Sequence, residues 1–190
     1  MRVLGISGSL RRDSYNSALL RAAAERLPAG AELVEFNRLR EVPPYDEDVE
    51  LEATPAVVEE LREAVQNADA VLVATPEYNH SIPGQLKNAL DWVSRPAGKS
   101  ALNGKPAAAI GASTGMFGAV WAQAEARKVL GALGGRVVER ELPISGAAEH
   151  YADGRLELTA EQSEQLEQLL AELLSEVEER QGYEREGARA

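Results

Sequence analysis

Cysteine is absent from this 190-residue chain, so disulfides, thiolate metal sites and thiol redox chemistry are all excluded. No apolar run approaches the roughly 20 residues that cross a bilayer. The N-terminus carries one Arg and enters a strand at once, where a secretory signal would need a longer apolar stretch. These absences predict a cytoplasmic protein with no membrane contact. Histidine occurs only as His80 and His150, without further ligands at coordinating spacing, and the acidic stretch 46–52 lacks the Gly and the ligand order of a calcium loop. No metal site is expected. A G-x-S-x-G elbow that would expose a serine nucleophile is missing, as is the basic stripe that nucleic acid requires.

The formal net charge of −11 is unevenly placed. Residues 41–52 hold six acids and no base, and residues 159–180 hold seven Glu against Arg180, so each segment contributes −6 and the remainder carries +1. The first is expected to be a loop and the second a solvated helix face. The rest of the surface can therefore receive an anion.

A loop suited to one is present. An apolar strand at residues 2–6 runs straight into Ser7-Gly8-Ser9-Leu10-Arg11-Arg12-Asp13-Ser14-Tyr15-Asn16-Ser17, after which a helical pattern begins. Gly8 lets the backbone approach a ligand, Ser9, Ser14, Ser17 and Asn16 offer donors, and the helix aims its free N–H groups and positive end at the same spot. Arg11 adds a charged fork. No Gly-Lys-Ser/Thr follows, so this is not a Walker A loop, and no G-x-G-x-x-G marks a dinucleotide fold. A terminal monophosphate fits best; an ordinary strand-to-helix turn with polar caps is the plainer alternative.

A second loop follows the continuous apolar run 70–75, a pattern of strands buried on both faces of a parallel sheet. Pro76 and Pro83 bracket Glu77-Tyr78-Asn79-His80-Ser81-Ile82 and stiffen it, presenting its N–H groups at the strand's carboxyl end, where doubly wound sheets bind ligands. A planar heterocycle could sit there. A third loop, Gly111-Ala112-Ser113-Thr114-Gly115-Met116-Phe117-Gly118, follows another apolar strand.

Gly-Ser-Leu-Arg-x-x-Ser-x-Asn at residues 8–16, Pro-Glu-Tyr-Asn-x-Ser-x-Pro-Gly-x-Leu-Lys-Asn-Ala-x-Asp-Trp at residues 76–92 and the third loop together resemble the NADPH-dependent FMN reductase family, most nearly its chromate, quinone and azo-dye reductases, over residues 1–150. The resemblance implies a flavodoxin-like fold. It implies bound FMN, with Ser9, Arg11, Ser14 and Asn16 on the phosphate and Leu10, Tyr15 and the intervening backbone as its cradle. Glu77, Tyr78 and Asn79 would line the ring, with Pro76 and His80 at its margins and Ser113 and Gly115 at its other edge. FMN carries the hydride step, so no catalytic side chain is expected. NADPH or NADH would be the donor, and a quinone, azo compound, chromate or free flavin the acceptor, in ping-pong order. An electron carrier or flavin redox sensor without NAD(P)H turnover is the alternative. Relatives also imply a homodimer or homotetramer, with the Pro43-Pro44-Tyr45-Asp46 loop near the subunit boundary. Trp121 departs from the pattern, because relatives often carry Arg near that position.

Periodicity places strands at 2–6, 31–36, 70–75, 106–111 and 136–141, and helices near 16–27, 55–67, 85–94, 118–133 and 160–180. Thr54-Pro55 reads as an N-cap followed by proline at the first helical position, and Thr159-Ala160-Glu161-Gln162 as a capping box. The expectation is one α/β domain over residues 1–180, a three-layer sandwich on a five-stranded parallel sheet whose order, 2-1-3-4-5, comes from the resemblance alone. Residues 181–190 lack an apolar period and read as a frayed tail.

If the first loop holds a phosphate, the protein binds FMN more tightly than riboflavin, and Arg11→Ala weakens FMN by about 1.5–3 kcal/mol while Arg12→Ala does much less. Fluorescence titration checks this. Equal affinity for the two flavins would remove the phosphate assignment.

Overall fold

The structure, a computed structural model, describes residues 1–187. Strand β1 (Arg2–Ser7) leads to helix α1 (Tyr15–Ala24) and β2 (Glu32–Glu35). After a 3₁₀ turn at Leu39–Glu41 come α2 (Glu47–Glu52), α3 (Ala56–Asn67), β3 (Ala70–Ala74) and α4 (Gly84–Val93). Then follow β4 (Pro106–Ala112), α5 (Val120–Ala132), β5 (Arg136–Val137), β6 (Pro143–Ile144), β7 (Tyr151–Ala152), β8 (Arg155–Leu156) and α6 (Ala160–Gly187). The main sheet is parallel in the order β2-β1-β3-β4-β5, with Val3 opposite Ala70 and Val71 opposite Ala107. This is the flavodoxin-like order.

Every residue of β3 and β4 is buried, because helices cover both faces. On one face Leu4, Ile6, Val71 and Val73 pack against α3, α4 and α5 through Val58, Leu61, Leu86 and Leu130. On the other, Val3, Leu72 and Ile110 meet Leu19 and Leu20 of α1 and Leu166, Leu169 and Leu173 of α6. The Ala107–Ala109 run in β4 carries no bulk, which suits a central strand roofed closely on both sides. No helix among the described residues is long and apolar enough to cross a membrane.

Several local expectations need correction. The fifth strand ends at Val137, and the chain rejoins β4 as β6. Glu139-Arg140-Glu141 interrupts it at the sheet's edge, where these side chains turn to ion pairs with Arg127 and Glu172. The acidic segment is not all loop: Asp46 caps α2 by accepting from the Asp48 N–H at 2.9 Å. Pro55, not Thr54, holds the cap position of α3, and the Thr54 hydroxyl accepts from Arg62 Nη1 at 3.5 Å. The Asp153-Gly154 turn between β7 and β8, with φ of 51° and 79°, is a hairpin signal absent from the expected elements. The last helix continues to Gly187 instead of stopping near 180, because a helix already nucleated on the core needs no new nucleus to extend, even past Gly182; residues 188–190 lie outside the described ones. The Thr159–Gln162 capping box forms as expected, with reciprocal bonds of 3.0 and 3.2 Å.

The turn into α5 has no room for a side chain at Gly118, where φ is +58° and a Cβ would stand 2.6 Å from the Pro143 carbonyl carbon. Gly118→Ala therefore lowers stability by about 2 kcal/mol or more in urea unfolding. A change under about 0.5 kcal/mol would show that this turn yields freely.

Candidate functional site

Strands β1, β3 and β4 are parallel neighbours, so the three loops that follow them leave from one edge of the sheet. In the first loop the Gly8 N–H donates to the Ala74 carbonyl at 2.8 Å, pinning the turn to β3. Ser14 caps α1, its hydroxyl accepting from the Ser17 N–H at 3.2 Å. Among the described residues, the N–H groups of Tyr15 and Asn16 in the first helical turn meet no protein acceptor. The Arg11 guanidinium lies over the Tyr15 ring, 5.0 Å from its centroid, and Tyr151 meets that ring edge-on at 5.0 Å.

Asn16 takes a different part from the one expected of its side chain. Its Nδ2 donates to the Ala112 carbonyl and its Oδ1 accepts from the Ala112 N–H, both at 2.9 Å and buried. The carboxamide is thus a clamp between the first loop and the end of β4, while the Asn16 backbone N–H is without an acceptor among the described residues.

In the second loop Tyr78 and Ser81 pair at 3.0 and 3.1 Å around Asn79 and His80, whose φ values of 53° and 61° define a tight two-residue turn. Asn79 and His80 sit exposed at its tip. Glu77 is only partly available: its Oε2 accepts from the N–H groups of Trp121 and Ala122 at 3.1 and 3.2 Å, capping α5 from another loop, and its Oε1 lies 3.6 Å from His80 Nδ1. In the third loop the Ser113 hydroxyl accepts from the Gly115 N–H at 3.1 Å, while the Ser113 N–H donates to Ile144 at 3.0 Å.

The loops enclose a cleft of about 140 Å³. Ser9, Arg11, Tyr15 and Asn16 line it from the first loop, Pro76, Glu77 and Tyr78 from the second, and Ser113 from the third, with Ala112 and Thr114 beside it. Of the other expected residues, Leu10 lines an adjoining cleft, Ser14 is buried beneath as the cap, and Gly115 is exposed on the third loop. One end of the cleft has the chemistry of a phosphate site. Orphan helix N–H groups and a guanidinium meet at one end, and the one carboxylate on its wall is already bound to α5.

The profile of the NADPH-dependent FMN reductase family matches residues 1–149. The chain belongs to the NADPH-dependent FMN reductase family. An NAD(P)H-dependent FMN reductase of Pseudomonas aeruginosa is 47% identical over 158 residues, covering 82% of this chain and 84% of that protein. A quinone reductase of Pseudomonas putida is 40% identical over 153 residues, covering 80% and 78%. Among solved structures, FerB, the flavoenzyme NAD(P)H:(acceptor) oxidoreductase of Paracoccus denitrificans, superposes with a TM-score of 0.82 at 33% identity, covering 94% of this chain and 98% of that one.

Two features of this FMN reductase family member were not anticipated. Gln123 is wholly buried on α5, where its Nε2 donates to the Gly118 carbonyl at 3.1 Å and its Oε1 accepts from the Leu142 N–H at 2.9 Å, tying the third loop to the returning chain. A lone polar residue on the buried face of an amphipathic helix was the available signal. Trp121 packs edge-on against His80 and Phe117 at 4.8 and 4.9 Å, an aromatic cluster joining the second and third loops to the start of α5.

Asn16→Ala leaves the Ala112 N–H and carbonyl buried without partners, so stability falls by about 2 kcal/mol or more in urea unfolding. Asn16→Asp keeps the acceptor for the Ala112 N–H but sets a second carboxylate oxygen against the Ala112 carbonyl, so it does not restore the loss at neutral pH. If Asn16→Ala unfolds with the parent, the clamp is not structural.

Proposed function

We propose that the protein is an FMN-dependent oxidoreductase that passes hydride equivalents from NAD(P)H to a small acceptor such as a quinone, azo compound, chromate or free flavin, donor and acceptor alternating at one site. Support comes first from the cleft where the three loops meet, with the N-terminus of α1 at one end, and second from relatives whose names are those of FMN and quinone reductases. Bound FMN supplies the hydride acceptance and donation. The N–H groups of Tyr15 and Asn16, the Ser9 hydroxyl and Arg11 bind its phosphate. Backbone N–H groups of Glu77 and Asn79, which meet no acceptor among the described residues, are placed to receive the polar edge of its ring. The tight turn at Asn79-His80 and the clamps through Asn16 and Gln123 hold the loops in place before any ligand arrives, so little ordering accompanies binding. No side chain is required to transfer a proton. Tyr78, Met116, Phe117 and Trp121 are exposed apolar residues beside the cleft, which favours a homo-oligomer that covers this rim.

Anaerobic mixing of the FMN-loaded protein with excess NADPH is expected to bleach the flavin band within the turnover time, and a quinone to restore it. Initial rates at several quinone concentrations then give parallel double-reciprocal lines, with quinone inhibiting at low NADPH. A flavoprotein that stays oxidised under both NADPH and NADH, yet is reduced by dithionite, would be a carrier or sensor instead.

A further inference from the structure

A second cleft of about 470 Å³ adjoins the first and shares Arg11 and Tyr78 with it. Arg12 and Arg40 also stand on its wall, and no Asp or Glu does. This is unusual within a chain of net charge −11. The neighbouring Arg38 is bound to Glu41 and Glu60, and Arg62, Arg95, Arg127, Arg136 and Arg140 are likewise paired with carboxylates. Arg12 and Arg40 form no ion pair among the described residues. They remain uncompensated where acids are abundant enough to neutralise them.

Arg40 is also held in position. The 3₁₀ turn that bears it is fastened to the start of α4 by Gln85, whose Nε2 donates to the carbonyls of Leu39 and Val42 at 2.8 and 2.7 Å. One guanidinium nitrogen of Arg40 donates to the Leu10 carbonyl, tying this turn to the first loop while the remaining donors stay free. Leu10 and Pro83 add apolar surface to the cleft's wall. One fastened cation, Arg40, and one unengaged cation, Arg12, beside apolar surface, in a volume that small ligands commonly fill, match a nucleoside phosphate. Arg11, stacked on Tyr15, belongs to the first cleft; Arg12 and Arg40 have no use there.

We infer that Arg12 and Arg40 recognise the 2′-phosphate of NADPH and make the enzyme prefer NADPH to NADH. The inference rests on the reductase function proposed above. Both dinucleotides carry the pyrophosphate, so only the 2′-ester distinguishes them, and a dianion between two guanidinium groups gains charge-assisted bonds that a ribose hydroxyl lacks.

Calorimetry on the FMN-loaded protein, with 2′,5′-ADP and 5′-ADP as probes, tests the site without turnover. The expected result is at least about tenfold tighter binding of 2′,5′-ADP, abolished in the Arg12→Gln/Arg40→Gln double variant with FMN content unchanged. In stopped-flow reduction the same variant raises the apparent Kd for NADPH about tenfold or more and leaves NADH nearly unaltered. Arg12→Gln alone, at a side chain with no hydrogen bond to the protein among the described residues, shows a smaller loss in the same direction and serves should loss of the Arg40–Leu10 contact disturb the loop. Equal binding of the two probes, or equal weakening of NADPH and NADH, overturns the inference while the reductase function stands. Holoprotein that neither nucleotide reduces overturns both.

Discussion

Two hydrogen bonds between the Asn16 carboxamide and the backbone of Ala112 hold together parts of the chain 96 residues apart. They are buried, so competing water is excluded and breaking them would strand polar groups in the core. Through them the first turn of α1 is set against the end of β4. Tyr15 and Asn16 then line the same cleft as Ser113 and Tyr78. Gln123 does the corresponding work for the third loop, and the Glu77 carboxylate joins the second loop to α5. Each loop is thus tied to another element by a polar group, while the N–H groups of Tyr15 and Asn16 meet no acceptor among the described residues.

The electrostatic layout follows the same division. Much of the acidic excess sits on the flanks, matched with arginine. Glu50 is nearly buried between Arg62 and Arg95; burial works to raise its carboxyl, but hydrogen bonds from Arg95 and Tyr45 and the two guanidinium charges hold it below the ordinary range. Glu172 and Glu176 of α6 pair with Arg140 and Arg136. The acids of both segments therefore stabilise packing as well as solvate it. Positive charge left over gathers at the loop end of the sheet, at Arg11, Arg12 and Arg40, where α1 and α4 also begin.

The alternation of strands and helices was legible in the residues because two-sided burial writes continuous apolar runs such as 70–74 and leaves amphipathic periods in α3 and α4. Misplaced boundaries have particular causes. Glu139-Arg140-Glu141 breaks the edge strand, since charge outweighs β-pattern where one face must be buried, and Asp46 starts a helix in what reads as an acidic loop, since its carboxylate caps the chain locally. The extension of α6 past residue 180 carries no apolar signal, because it depends on a helix nucleated elsewhere.

For the site, residue types and their spacing alone established a phosphate-holding turn, a stiffened second loop and a third glycine-rich one, because Gly, Pro and short hydroxyl side chains act on the backbone beside them. Which of those side chains are already engaged within the protein was decided only by the tertiary structure. Asn16 reads in sequence as a phosphate contact and Glu77 as a ring contact; both line the cleft, and the side chain of one also bonds Ala112 and that of the other the start of α5, partners 96 and 44 residues away. Arg12 and Arg40 look unremarkable apart, being 28 positions distant in the chain. Parallel strand pairing brings their segments to one edge, and a charge's meaning depends on which partners that packing brings within reach.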